Sequence, residues 1–195
     1  MAIKLNKKYK PLFKIIENKN IRYCVLTGGR GSAKSYAVST FINNLVSSER
    51  HIILFTRYTM ESADMSIIPE FKEKIELLGL TKYFTINKKE IIHNPTGNTI
   101  LFRGINTSSG NQTAKLKSIQ GVTTFVLDEA EELVDEDTFD TIDFSIRCTD
   151  SINRVIIVMN PCDKNHFIYR RFFKETGVKY DFNGIYEDTL YIFTT

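Results

Sequence analysis

An apolar segment that runs directly into a glycine-rich loop constrains the fold of this chain more than any other feature. The segment "RYCVLT" (22–27) has the continuous apolar character of a buried strand, and "GGRGSAKS" follows it. From 35 to about 46, apolar residues recur at helical spacing, at Ala37, Val38, Phe41, Ile42 and Leu45. Strand, loop and helix in this order are the repeating unit of a parallel sheet covered by helices on both faces. We therefore expect an α/β fold.

The same alternation continues along the chain. Further strands are predicted at 51–56, 123–127, 153–160 and 189–195, and further helices at 63–79, 136–147 and 165–175. Three short β runs, "YFTIN", "EIIHN" and "NTILFRG", predict an antiparallel hairpin insertion around 83–103. Residues 106–121 have no strong periodicity and predict a long loop. The expected architecture is one domain over 1–195, with a mainly parallel central sheet flanked by helices.

Composition narrows the class of protein only slightly. Hydrophobic residues make up 42% and charged residues 25% of the chain, close to globular averages. The three cysteines have no metal-ligand spacing and indicate reduced thiols in a cytosolic protein. Residues 1–22 hold seven Lys and Arg, and residues 128–143 hold nine acids, yet the net charge is only +3. Charge therefore identifies no partner, and no segment approaches the ~20 apolar residues that a membrane span needs.

The glycine-rich loop matches the phosphate-binding pattern G-x-x-x-x-G-K-[ST] at most positions. Gly28 is the first glycine, Lys34 the lysine and Ser35 the hydroxyl residue. The remaining loop residues are Gly29, Arg30, Gly31, Ser32 and Ala33. We expect the lysine to reach the β- and γ-phosphates of ATP and the serine to ligate Mg²⁺, with the helix N-terminus facing the anion. The alternative is a Gly/Ser-rich turn between a strand and a helix.

Two positions in the loop need a separate argument. Ala33 stands where the pattern has its second glycine. We expect this residue to open the helix with right-handed dihedral angles, so that an added methyl group is tolerated and binding is retained. Arg30 is not required by the pattern, and it either contacts a phosphate or points to solvent.

Acidic and amide side chains follow two other predicted strands. Asp128 and Glu129 come directly after "TTFVL", and Asn160 follows "RVIIVM". An aspartate at a strand end beside such a loop can hold Mg²⁺, usually through water, and a glutamate beside it can orient and deprotonate an attacking water. The amide can hydrogen-bond the γ-phosphate or that water. The alternatives are exposed acids at a helix start and an Asn-Pro turn. Because ligands bind beyond the carboxyl ends of parallel strands, we expect these residues to meet the loop at one sheet edge.

These segments together resemble the N-terminal ATPase domain of the large terminase subunit of tailed bacteriophages. The resemblance rests on "GGRGSAKS", "FRG…KLKSIQG…FVLDEAEEL", "SIR" and "VMNP…HFIYRRF", and it covers about 10–195. It implies a P-loop NTPase of the additional-strand, catalytic-glutamate type. By this resemblance 28–35 is the Walker A loop, Asp128 the Walker B aspartate, Glu129 the catalytic glutamate and Asn160 part of a coupling motif. The family also tends to carry an arginine in the loop, which favours phosphate contact for Arg30.

The function implied by the resemblance is ATP hydrolysis that powers translocation of double-stranded viral DNA into a procapsid. The implied partners are double-stranded DNA, the portal protein, a small terminase subunit and further copies of the chain in a ring, with a monomer in isolation. The implied location is the host cell cytoplasm, with no membrane partner. Members of the family continue into a nuclease domain of ribonuclease-H type, so we expect either a chain truncated at its C-terminal end or a split gene, and no nuclease activity from these residues. A helicase-like or recombination-type ATPase and a non-hydrolysing assembly module are the alternatives.

Two further roles have only candidates. A cation donated to a neighbouring subunit's site could be Arg147, Arg103, Lys115 or Lys117. Contacts to the adenine base could come from Tyr9, Lys10 and Phe13, which precede the first strand, where related motors often contact the base. A packing arm explains these three residues equally well.

Overall fold

The described part of the chain is built on one mixed sheet. The structure is a computed structural model and describes residues 4–48, 50–59, 61, 63–107, 110, 111 and 113–195. The strands are β1 (Tyr23–Gly28), β2 (Ile52–Thr59), β3 (Phe84–Ile86), β4 (Glu90–His93), β5 (Asn98–Thr107), β6 (Gly110–Asn111), β7 (Thr124–Asp128), β8 (Arg154–Met159), β9 (Gly184–Tyr186) and β10 (Thr189–Thr194).

Short helices connect these strands. The α-helices are α1 (Lys10–Lys14), α2 (Lys34–Leu45), α3 (Ile68–Leu77), α4 (Thr113–Lys117), α5 (Glu136–Asp143) and α6 (Phe167–Tyr169). Single 3₁₀ turns lie at Lys7–Tyr9, Thr81–Tyr83 and Ala130–Glu132, and π-helical turns at Ala63–Ile67 and Arg170–Lys174. In the part of the chain that is described, no helix is both long and apolar enough to cross a membrane.

The order of the strands places the ends of four of them side by side. The sheet runs β3-β4-β5-β2-β7-β8-β1-β10-β9, with β6 paired to β5. Each neighbouring pair from β5 to β10 is parallel, whereas β3, β4, β6 and β9 pair antiparallel with their neighbours. The carboxyl ends of β2, β7, β8 and β1 therefore lie next to one another at one edge, as expected for a site in such a sheet.

Both faces of the sheet are buried. Along β1, Cys24 and Leu26 pack into one apolar cluster with Phe41 of α2, while Val25 packs into a second cluster with Phe139 of α5. Alternate side chains of one strand thus enter opposite cores, because successive side chains of a strand point to opposite faces. This explains why the strands read as continuous apolar runs, and it confirms the predicted α/β class.

Four details differ from the prediction. The run "NTILFRG" is antiparallel to β4 but parallel to β2, so β5 belongs to the parallel core and only β3 and β4 form the insertion. The helix predicted at 136–147 ends at Asp143, and the one predicted at 165–175 is short α6 followed by a π-helical turn. The predicted loop 106–121 contains β6 and α4; its residues 108, 109 and 112 lie outside the described residues.

Candidate active site

The glycine-rich loop leaves β1 through a backbone that requires glycine. Gly28 has φ +147°, and a Cβ built on it would lie 2.0 Å from the carbonyl oxygen of Thr194 in β10. Gly31 has φ +79°. The first position therefore excludes a side chain by contact with the neighbouring strand, and at the second a side chain would be strained by the backbone conformation alone.

Lys34 begins α2 and its side chain folds back over the loop. Its Nζ donates to the carbonyl oxygens of Gly28 and Gly29, at 2.8 and 2.9 Å, and to Oδ1 of Asn160 at 3.2 Å. The residue is only 7% exposed, and this burial lowers the pKa of its ammonium group, against the opposing charges of Glu131 and Asp128. The lysine thus links the loop to the tip of β8.

The conformation expected for Ala33 is wrong. Ala33 lies in the left-handed region, with φ 64° and ψ 27°, and it is the N-cap of α2 rather than its first right-handed residue. That conformation costs an L-residue about 1–2 kcal/mol. The residue is exposed, so its methyl group meets solvent. The alanine is accommodated because there is space for the methyl group, at the expense of backbone strain.

Asp128 at the end of β7 is buried and fully engaged. Ser35 Oγ donates to its Oδ1 at 3.0 Å, and Arg57 Nε donates to its Oδ2 at 2.9 Å. Burial raises the pKa of the Asp128 carboxyl, and the Arg57 charge and the hydrogen bonds from Arg57 and Ser35 act in the opposite direction. Because Mg²⁺ prefers oxygen ligands, and a hydroxyl and a carboxylate oxygen lie side by side here, the donor set fits that cation.

Glu129 follows in a left-handed conformation, with φ 54°, that turns the chain out of the strand. Its side chain is 34% exposed, and Oε1 lies 3.4 Å from Arg57 Nη2. Burial also raises the pKa of this carboxyl. A non-glycine residue in this region is strained, and the conformation persists only where surrounding contacts hold it.

Arg57 is a site residue that the sequence analysis missed. It lies near the end of β2, where Thr56 is the register partner of Leu127 in β7, one residue before Asp128. Its Nη1 also donates to Ser66 Oγ at 2.9 Å. The available signal was a charged residue near the carboxyl end of an apolar strand, but its use required knowing that β2 and β7 are neighbours.

Glu131 is the second residue that was missed. Its Oε2 accepts the backbone N–H of Asn160 at 3.0 Å, and its Oε1 accepts the Asn160 side-chain amide. Since Oδ1 of the same amide accepts from Lys34, the three side chains form a chain of hydrogen bonds from the loop to the acidic segment. Asn160 therefore contacts the site, and it does more than begin a turn.

One cavity of about 530 Å³ brings these groups together. It is lined by the loop residues 30–35, by Tyr36 and Glu70, and by Asp128, Glu129 and Asn160. A larger cavity of about 1220 Å³ opens at the opposite edge of the sheet, beside Arg22, His51 and Asn153. We take the smaller cavity as the candidate active site, because its lining combines the glycine-rich loop with the acidic strand end.

The sequence profile of the family described as phage terminase large subunit matches residues 20–195. This chain belongs to that family. The chain is 29% identical over 160 residues to the PBSX phage terminase large subunit of Bacillus subtilis (strain 168). The match covers 80% of this chain and 35% of the relative, so the chain spans about a third of the length of that protein.

Solved terminase structures share the fold. The large terminase of a thermophilic bacteriophage has a TM-score of 0.74 at 11% identity, over 99% of this chain and 46% of that one. The N-terminal domain of the DNA packaging ATPase from bacteriophage phi29 has a TM-score of 0.66 at 16% identity, over 96% of both chains. At these identities the likeness concerns the fold alone.

The other residues named from this terminase sequence lie away from the cavity or serve packing. Arg147, Lys115 and Lys117 are exposed, and Arg103 donates to the carbonyl oxygens of Lys89 and Phe102. Among the described residues that line the cavity, none of these four cations is present. A role for them in a neighbouring subunit's site stays a prediction.

The segment before β1 is a packing arm of this terminase chain. Tyr9 is 1% exposed, and Phe13 packs edge-on against Phe41 of α2, whereas Lys10 is exposed. The Tyr9 hydroxyl donates to the carbonyl oxygen of Ser32 at 2.6 Å. The packing alternative therefore describes Tyr9 and Phe13, and the tyrosine ring offers no open face to a base.

Proposed function

We propose that this chain binds ATP with Mg²⁺ and hydrolyses it, as the motor domain that drives double-stranded viral DNA into a procapsid. The observation that carries the proposal is the cavity at the carboxyl edge, which joins the loop after β1 to the strand ends of β7 and β8. A phosphate chain laid along the loop would meet a buried cation at one end and two carboxylates at the other. Family membership supports the same assignment.

Lys34 and the first turn of α2 are assigned to the phosphates. The ammonium group already lies between the loop and Asn160, and a phosphate oxygen would take the place of carbonyl oxygens as its acceptor. Helix α2 is 12 residues long, and its N-terminus supplies free N–H groups to the same anion. Arg30 is exposed and lines the cavity, which supports a second cationic contact to the phosphates.

Ser35 and Asp128 are assigned to the metal. Their oxygens already lie 3.0 Å apart, and both face the cavity. When bound, Mg²⁺ would neutralise charge on the phosphates. The buried carboxylate would exchange part of its present compensation by Arg57 and Ser35 for the cation.

Glu129 is assigned as the base that orients and deprotonates the attacking water. Its side chain is partly exposed to the cavity, and the arginine beside it fixes the direction of the carboxylate. Asn160 lies between Lys34 and Glu131, so its amide is positioned to respond to a γ-phosphate and to pass that response to the acidic segment.

Relatives support the nucleotide and the DNA as ligands. The large terminase of the thermophilic bacteriophage has been solved in complex with ADP and with ATP-γ-S. The phi29 protein is described as a DNA packaging ATPase. We assign to this chain, on that basis, ATP as substrate, and double-stranded DNA, a portal protein, a small terminase subunit and a ring of identical subunits as partners, at the procapsid portal in the host cell cytoplasm.

Steady-state ATP hydrolysis by wild type and by Glu129→Gln tests the proposal. We expect turnover to fall at least about a hundred-fold in the variant, because a general base contributes two to four orders of magnitude. Binding of Mg²⁺-ATP, measured by calorimetry, should be kept, since the amide has nearly the same shape. Lys34→Ala is the companion variant and should lose both binding and turnover. Equal turnover in wild type and Glu129→Gln would overturn the assignment of the base.

Binding to DNA has its own test. We expect weak, sequence-independent binding of a double-stranded oligonucleotide that falls steeply between low and physiological salt, because lysine and arginine contacts to phosphates release counterions. Fluorescence anisotropy at several salt concentrations measures it. Sequence-specific binding that is insensitive to salt would contradict a translocating motor.

A further inference from the structure

A buried hydroxyl outside the set of groups assigned to catalysis touches the phosphate loop. Tyr9 is 1% exposed, and its Oη donates to the carbonyl oxygen of Ser32 at 2.6 Å. Its neighbours Leu12 and Ile15 are also buried and fix the arm against the core, so the hydroxyl is presented to the loop by a packed segment. Burial raises the pKa of this phenol, which therefore remains a donor at neutral pH.

The carbonyl that Tyr9 binds belongs to the peptide between Ser32 and Ala33. In a trans peptide the C=O and the N–H point in opposite directions. With the carbonyl directed at Tyr9, the N–H of Ala33 points away from the arm, and Ala33 lines the cavity. N–H groups directed into such a loop are what bind phosphate oxygens.

The two residues that flank this peptide bond differ in how they are held, since Ala33 is strained and Ser32 makes hydrogen bonds within the loop. Ala33 is held at φ 64°, a conformation that an L-residue leaves readily unless its surroundings fix it. Within the loop, Ser32 N–H reaches the carbonyl of Gly29 at 3.4 Å, a long hydrogen bond, and Ser32 Oγ reaches the same carbonyl at 2.8 Å. The short bond from Tyr9 comes from outside the loop and fixes the peptide from its other side.

The same hydroxyl lies at the end of β10. Tyr9 Oη is 3.3 Å from Thr194 Oγ1, and the backbone of Thr194 is the register partner of Gly28. The last strand, the arm and the first glycine of the loop therefore meet at one point. A displacement of any of them would move the others.

We propose that Tyr9 is a positioning residue for the nucleotide site, whose buried hydroxyl holds the Ser32–Ala33 peptide with its N–H directed at the phosphates of the bound nucleotide. The inference rests on the proposed ATP site and adds to it a residue from outside the loop. The role differs from stacking on the adenine base, since the ring is buried and only the hydroxyl acts on the site.

Tyr9→Phe removes the hydroxyl and keeps the ring. The matched control is Tyr191→Phe, because the Tyr191 hydroxyl is also buried and donates to a carbonyl, that of Phe172 at 2.8 Å, on another part of the fold. Calorimetry with ATP and Mg²⁺ gives the affinity, thermal unfolding gives the stability, and steady-state kinetics separate KM from kcat. We expect Tyr9→Phe to weaken ATP binding about tenfold and to raise KM more than it lowers kcat, since one hydrogen bond to the loop is lost.

The control separates positioning from general stability. Tyr191→Phe should lower the unfolding temperature by a similar amount and leave ATP affinity within about twofold of wild type. An equal loss of affinity in both variants, or none in Tyr9→Phe, would overturn the inference and leave the ATP site intact. Failure of the wild-type chain to bind ATP would instead overturn the proposed function, and the positioning role with it.

Discussion

Two buried arginines, at opposite edges of the same sheet, differ in the partners that compensate their charge. Arg57 near the carboxyl end of β2 contacts the carboxylates of Asp128 and Glu129 beside the cavity. Arg154 at the start of β8 is 0% exposed and donates to the main-chain carbonyls of Ile15 and Ile16. In the first case the partners are side chains that reach a cavity, and in the second they are the carbonyls that follow α1.

The physical difference lies in how each charge is compensated. The charge of Arg57 is balanced by acids that a metal ion could also bind, so its contacts can be exchanged. The charge of Arg154 is balanced by the negative end of a short helix, and its Nε and Nη1 have no hydrogen-bond partner within the described structure. A buried charge alone therefore does not identify a site; its partners do. Cavity volume does not identify a site either, because the larger cavity lies at the amino-terminal edge of the sheet, where Arg154 is.

The largest effect that this comparison predicts is the loss of activity in Arg57→Gln. Without the guanidinium, the carboxylates of Asp128 and Glu129 lose the group that fixes their directions. Small misplacements of reacting groups lower the reaction rate about a hundred-fold, and loss of a group that stabilises charge lowers it by up to about a thousand-fold. We expect ATP turnover to fall by two to three orders of magnitude, measured under conditions where circular dichroism shows a folded protein. If Arg57→Gln kept wild-type turnover, Arg57 would not be needed for the reaction, and the two arginines would not differ in function.

Only some residues of the candidate site could be predicted from the sequence. Lys34 was named because the loop that contains it matches a known pattern, and Asp128 and Asn160 because each ends or follows an apolar strand; parallel strands bring such positions to one edge. The local pattern also predicted most helices and strands to within a few residues. These features depend on residues that are close together in the sequence, so a local sequence pattern is enough to predict them.

The contacts that were missed depend on neighbours in space. Arg57 precedes Asp128 by 71 positions, and Tyr9 precedes Ser32 by 23. No periodicity reports that β2 lies beside β7, or that the arm reaches the loop. The left-handed conformation of Ala33 was missed for another reason: a general rule about helix starts was applied to a residue whose geometry is fixed by the loop before it.

Arg154→Met should destabilise the amino-terminal edge of the sheet and leave the candidate site intact. The substitution removes Nη2, which donates to the carbonyls of both Ile15 and Ile16. An unsatisfied buried acceptor costs about 1–3 kcal/mol, partly offset by relief from burying a charge. We expect the free energy of unfolding to fall by about 2–3 kcal/mol, measured in urea. KM for ATP, measured where the protein remains folded, should stay within about twofold of wild type. A large loss of turnover in the folded variant would show that the two edges are coupled.

A pH effect is expected at the same edge. Burial, with a contribution from the Arg154 charge, lowers the pKa of His51 from 6.5 to about 4. The unfolded chain therefore binds a proton on this residue between those values and the folded chain does not, so stability is present above pH 6.5 and is lost as the pH falls towards 4. Between about pH 8 and pH 5 the loss amounts to about 2 kcal/mol.

His51→Asn isolates that contribution. The asparagine amide can keep the contact that His51 Nδ1 makes with Thr123 Oγ1 at 3.0 Å, but it does not titrate. All other groups, including His93 and His166, remain in both proteins, so the difference between the two pH–stability curves belongs to His51. We expect wild type to lose about 2 kcal/mol more than the variant between about pH 8 and pH 5, measured in urea at each pH. Parallel curves would show that His51 is protonated equally in the folded and unfolded chain.

The smallest effect concerns strain at the functional edge. Ala33→Gly should relieve a left-handed conformation that costs an L-residue about 1–2 kcal/mol, while the freer unfolded chain takes back about 0.4–1 kcal/mol. We expect a gain in unfolding free energy of at most about 1.6 kcal/mol, with ATP affinity within about threefold of wild type. Glu187→Gly is the matched control, because Glu187 is also left-handed, at φ 51°, and lies outside the described lining of the cavity. Glu187→Gly could stabilise the chain while Ala33→Gly does not. That result would show that contacts from the arm and the loop already compensate the strain at Ala33. The left-handed conformation would then be imposed by the surroundings of the loop, whichever residue occupies position 33.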